Sequence, residues 1–86
     1  MELATAITEL RAAEAAREAP AAELDALKEQ FAEFGRKAAH AGTEVERVAF
    51  LQEQQHFANA QTAPMKAVSL ADARIAAARL LVGRSA

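Results

Sequence analysis

The chain has no cysteine, no tryptophan and no tyrosine, and only three glycines and two prolines among its 86 residues. Without cysteine there can be no disulfide, no thiolate metal centre and no thiol nucleophile. Without tryptophan and tyrosine the usual interface anchors and base-stacking platforms are missing, and four phenylalanines are the only aromatics of their class. The glycines stand singly, so there is no glycine-rich phosphate loop. No apolar run approaches the length of a membrane span, and the acidic, alanine-rich start lacks the basic end and apolar core of a secretory leader. These absences lead us to expect a cytoplasmic protein with no membrane partner.

What the chain has in abundance is alanine. Apolar residues make up 52% of it, but 25 of them are alanines, which leaves 20 larger apolar side chains. That composition gives strong helix propensity and thin helix interfaces. One domain of this size is close to the limit at which a single core suffices, so a partner chain or a second copy would stabilise it. Charge is uneven around a net −2. Residues 1–33 carry eight acids and three bases, and residues 34–86 carry four acids and seven bases. Solvated helix faces account for this, as does a polarised surface that orients a partner.

Four helices are expected, at about residues 2–18, 20–41, 44–63 and 70–82. Leu3, Ile7 and Leu10 share a face of the first, widened by Ala6 and Ala13. Pro20 disfavours helical geometry at Ala19 and suits a first turn, so a break or kink is expected near residue 19, with the second helix restarting at Pro20. In the second helix Leu24, Leu27, Phe31, Phe34 and Ala38 repeat with the 3-4 spacing of a helix–helix seam, and Phe31 and Phe34 are its expected anchors. Asp25 with Lys28 and Glu33 with Lys37 are helix-neighbour pairs. Gly35 inside this helix points to a close crossing.

The clearest local signal is the joint after it. Gly42 is suited to a left-handed helix stop, Thr43 to an N-cap, and Glu46 stands where a capping box needs it. A helical hairpin is therefore expected, with helices two and three antiparallel. On the third helix, at 100° per residue, Val45, Val48, Ala49, Ala60 and Ala63 form the stripe expected to face helix two. Gln52, His56 and Asn59 continue its angle, either as register-setting polar groups in the contact or as solvated ones. Pro64 ends or kinks this helix, residues 64–69 form a connector, and Ser69 with Asp72 starts helix four. There Ala71, Ile75, Ala78 and Val82 form the stripe, broadened by Leu70 and Leu81, and Gly83 is the stop. The fold class is all-α, a small antiparallel hairpin or bundle of three to four helices in one domain.

No residue pattern points to chemistry. Glu53 and His56 are spaced as in di-iron bundles, but such sites need further inward glutamates. Ser69, Ser85 and the four threonines have no nearby histidine. Arg74, Arg79, Arg84 and Lys66 are basic without a recognition element for nucleic acid. We expect no enzyme, cofactor, metal or nucleic-acid partner. The partner-binding residues are expected on a second face of helix three, at Phe50, Leu51, Gln54 and Phe57. Helix two covers only one side of that helix, and two phenylalanines edged by glutamines suit a groove for another helix. If helix four fills the groove within the same chain, these residues are core instead.

The stretch from Arg36-Lys37 through Gly42, followed by Thr43-Glu-Val-Glu-Arg-Val-Ala-Phe50-Leu51-Gln52-Glu53-Gln54, resembles the small helical co-chaperones of the type III secretion needle subunit. The likeness covers about residues 24–61, and helical sequence after Pro64 extends beyond it. It implies a cytoplasmic hairpin that pairs with a helical-repeat chaperone and keeps a needle subunit unpolymerised. More generally the chain reads as a helical interaction module, a small chaperone or adaptor; the alternative is a self-associating structural protein forming a dimeric bundle.

Overall fold

Alanine, glutamate, arginine and leucine lose little freedom in a helix, and they dominate this chain. The computed structural model describes residues 2–85, and no strand occurs among them. Helix α1 spans Leu3–Ala39, α2 spans Glu44–Ala60 and α3 spans Thr62–Ser85. Helix α1 packs along α2 near the turn and along α3 beyond it, while α2 and α3 meet end to end. The three segments therefore make two antiparallel rods, α1 and a bent return rod, rather than a layered bundle of three to four helices. The hairpin measures 63 × 15 × 15 Å with a radius of gyration of 19.2 Å, against about 12 Å for a compact domain of this length.

One pattern holds the rods together. On α1 the covered positions include Ala6, Leu10, Ala13, Pro20, Leu24, Leu27, Phe34 and Ala38, with Ile7, Glu9, Ala21 and Gly35 half-buried beside them. Arg17 and Phe31 fill the two remaining places in an unbroken 4-3 spacing. On the return rod Phe50, Gln54, Phe57, Gln61, Pro64, Val68, Ala71, Ile75, Ala78 and Val82 repeat the same spacing, all buried or half-buried. A 3.5-residue repeat kept this long is the signature of a left-handed coiled coil. Its core is unusually small. The buried apolar residues are Ala6, Ala13, Ala38, Pro64, Ala71, Ile75 and Ala78, and no large side chain is fully buried among the described residues.

Pro20 does not divide α1. It lies inside the helix, half-buried at a seam position. The interior proline costs about 3 kcal/mol, but the seam continues on both sides of it. The Ala16 carbonyl that loses its donor belongs to an exposed residue, so water can replace the missing bond. Pro64 acts one turn ahead of itself. It lacks the N–H that would bond the Ala60 carbonyl, and α2 ends at Ala60. The backbone stays helical through Gln61 (φ −71°, ψ −19°), and the Met65 amide donates to the Gln61 carbonyl at 3.0 Å. Residues 64–69 are thus helix and not a connector, Ser69 starts nothing, and α3 runs through Gly83 to Ser85. Arg17 meets Asp72 and Gln54 meets Phe31, so the two prolines face each other within about a turn.

The joint at residues 40–43 is where sequence and structure agree best. Thr43 is extended, and its Oγ1 accepts from the Glu46 amide at 3.1 Å. The reciprocal bond comes from the Gly42 amide, which donates to the Glu46 carboxylate at 3.2 Å. Gly42 itself is not left-handed, since no described residue has a positive φ. Helix α1 closes instead by a tightened turn, the His40 amide shared between the Arg36 and Lys37 carbonyls. A Cβ on Gly42 would meet only the Glu46 carboxylate, at 3.7 Å. Thr43→Ala should therefore lower stability by about 0.5–2 kcal/mol, while Gly42→Ala should change it little. Urea unfolding of the two variants checks both, and equal losses would contradict the capping geometry.

Candidate protein-interaction surface

The four residues expected to bind a partner do not share one outward face. Phe50, Gln54 and Phe57 lie on the seam against α1, and only Leu51 looks away, 40% exposed. The Phe34 ring of α1 sits between Phe50 and Phe57, with centroids 6.3 and 5.5 Å away. Residues seven apart on one helix and one ring between them on the other is knob-in-hole packing. The groove is thus filled by the chain itself, and by α1 rather than by the fourth helix.

Gln54 is the polar member of that seam. Its Nε2 donates to the Phe31 carbonyl at 3.2 Å, and the same atom lies 2.6 Å from where a Cβ on Gly35 would stand. Gly35 therefore makes room for the amide, as a close crossing requires. A polar group seated at one seam position fixes the register of two rods that alanine alone would leave free to slide.

Charged groups decorate the edges. Asp72 accepts from Arg17 at 2.6 Å and Glu9 accepts from Arg74 at 2.9 Å, tying α1 to α3. On the outer surface Glu33 pairs with Arg36 at 2.8 Å, not with Lys37, whose Nζ lies 4.7 Å from the Phe34 ring centroid. Hydrogen bonds from Arg36 and Arg47, reinforced by their charge, hold the Glu33 and Glu44 carboxyls below the ordinary glutamate range. All these pairs are solvated and contribute little individually.

The stripe expected to face α1 is instead the outside of the return rod. Val45 is 81% exposed and Val48 42%, and Gln52, His56 and Asn59 are all exposed, with Gln55 donating to Asn59 at 2.9 Å. The choice of side chains is the reason. At 100° per residue the stripe from Val45 to Ala63 is centred roughly 140° around the helix from Phe50, Gln54, Phe57 and Gln61, and it is these, two of them glutamines, that hold the inward face. Leu70 is likewise exposed, although Ala71, Ile75 and Ala78 of the same helix are buried as expected.

This outside is poor in charge. Helix α1 carries twelve charged residues in its 37, whereas residues 48–71 of the return rod carry only Glu53 and Lys66. Val48, Leu51, Met65 and Leu70 stand exposed within that span. Two shallow apolar depressions mark it, one lined by Glu44, Val45, Val48, Ala49 and Gln52 and one by Met65, Lys66, Ser69 and Leu70. Among the described residues there is no cluster of three or more potential metal ligands, and no helix is long and apolar enough to cross a membrane.

No protein family, no curated protein and no solved structure matches the chain.

Proposed function

We propose that this chain is a non-enzymatic helical interaction module, a cytoplasmic adaptor or small chaperone that holds another polypeptide along its return rod. The observation that carries the reading is the charge-poor outer face between Val48 and Ala71, with large apolar side chains left in water. Helix α1 spreads twelve charges over its surface and leaves only threonine and alanine between them, whereas an apolar face with large side chains on a rod without a substantial core suits an obligatory or frequent partner. A narrower form of the proposal is the needle-subunit co-chaperone, supported by the sequence between Arg36 and Gln54 alone. The alternative is a structural protein whose partner is its own copy.

The test compares the chain with a Leu51→Glu/Met65→Glu variant, both immobilised and exposed to an extract of the native host with chemical cross-linking. The intact chain is expected to retain specific polypeptides that the variant loses while keeping its helix content. Identical retention by both would remove the return rod as the binding face. Failure to form a soluble complex on co-expression with a needle subunit would remove the narrower form only.

A further inference from the structure

The exposed residues of the return rod contain a second seam. Beside the one that meets α1, Val48, Leu51, Gln55, Ala58, Thr62, Met65 and Ser69 recur at 3-4-3-4-3-4 spacing. All are exposed except Ala58, which is half-buried. None is charged. We infer that this ridge receives the same ridge of a second copy, antiparallel about a two-fold axis between Gln55 and Ala58. The inference rests on the return-rod binding face proposed above and develops its alternative, in which the partner is a second copy.

Three features favour a second copy. The first is that the ridge is self-complementary. Antiparallel pairing about that axis sets Val48 of one copy opposite Met65 of the other and Leu51 opposite Thr62, with Gln55 and Ala58 at the centre. Large residues thus meet at the two ends and smaller or polar ones in the middle, and an isologous contact requires this kind of symmetry. The second is electrostatic. Two identical charged ridges repel, whereas a ridge without charge meets itself at no such cost. Helix α1 has an uncharged exposed line too, from Thr5 to Ala26, but it presents only threonine and alanine, whereas the return-rod ridge offers Val48, Leu51 and Met65 for burial.

The third is geometry and area. Gln54 bonds the Phe31 carbonyl, so the axis passes the level of Phe31, whose ring is 36% exposed although it occupies a seam position. By the heptad register Phe31 leans to the same flank of the hairpin as Leu51 and Met65. A second hairpin laid there would complete a four-rod arrangement and cover it. The rods would overlap for about 40 Å at 1.5 Å per residue. Over a 15 Å width that is roughly 600 Å² per copy, the lower edge of a stable interface. The expected dimer is therefore concentration-dependent.

Sedimentation equilibrium of the purified chain across micromolar concentrations should show a shift from 9.1 kDa to twice that mass. Leu51→Glu should weaken the association by more than about tenfold with helix content unchanged, and Leu70→Glu, an equally apolar exposed site off the ridge, should not. The absence of cysteine allows a directional test that does not depend on a charged variant folding. A Val48→Cys/Met65→Cys chain should oxidise to a covalent dimer, and Val48→Cys alone should not. Cross-linking by Val48→Cys alone would overturn the antiparallel arrangement, and equal weakening by Leu51→Glu and Leu70→Glu would overturn the ridge. A monomer throughout would overturn self-association; if that monomer still retained other polypeptides through the return rod, the interaction-module reading would stand. A monomer retaining nothing would remove both.

Discussion

Phe34→Ala should lower the unfolding free energy by about 2–4 kcal/mol, while Phe31→Ala, one turn away in the same seam, should cost about 1 kcal/mol. Full burial would put a Phe→Ala change at about 3–5 kcal/mol, and Phe34 is half-buried. Its ring is the centre of an aromatic cluster, with Phe50 and Phe57 on either side and His56 edge-on to Phe57. Each such pair adds about 0.5–1.5 kcal/mol beyond area, and both end with this one truncation. Phe31 has more than a third of its surface in water, and Gln54 reaches its backbone carbonyl, not its ring. The comparison needs urea melts at concentrations low enough to keep the chain monomeric, because self-association would cover Phe31. If Phe31→Ala costs as much as Phe34→Ala under those conditions, the seam on α1 is rotated from the one described.

The parts of this fold that were legible in the sequence are those set by local chemistry or marked by large side chains. The joint was readable because Thr43 and Glu46 satisfy helix-start amides wherever they occur at that spacing. The seam from Leu24 to Ala38 was readable because leucine and phenylalanine stand out against alanine. Toward the open end the same 4-3 spacing runs on through Pro20, Ala13 and Ala6, but a buried alanine and an exposed one look alike in sequence. Pro20 and Pro64 read as punctuation, yet each is held inside a helical rod by seam positions on both sides of it. On the return rod Val45, Val48, Ala49, Ala60 and Ala63 line up as an apolar stripe, whereas the inward face carries Gln54 and Gln61, which mimic a solvated surface. Following the spacing from Phe50 across Pro64 to Val82 would have found that face. Of the residues expected to bind a partner, Leu51 alone faces outward, and it does so in a ridge with Val48 and Met65 that spacing could have revealed.

Ile75→Ala should have an effect as large as Phe34→Ala and of a different kind. Ile75 is 8% exposed and, with Pro64, is one of two buried apolar residues larger than alanine among the described residues. It sits on α3 between Ala71 and Ala78, in the half of the hairpin where α1 contributes Ala6 and Ala13. Truncating a buried isoleucine to alanine costs about 2–5 kcal/mol, and here the seam that remains is chiefly alanine. The flanking ion pairs, Arg17 with Asp72 and Glu9 with Arg74, are about half-exposed at both partners, and such pairs hold about 0–1 kcal/mol each. They cannot replace the lost contact. The two halves also meet where both rods are weakened, at Pro20 and at the α2–α3 junction opposite it. Loss of Ile75 should therefore open the free end locally instead of melting the whole hairpin. Hydrogen exchange should show protection falling over residues 3–19 and 62–85 while residues 24–38 and 46–58, held by the phenylalanine cluster and the Gln54 bond, keep theirs. Uniform loss along both rods would mean that the prolines do not divide the hairpin into separable halves.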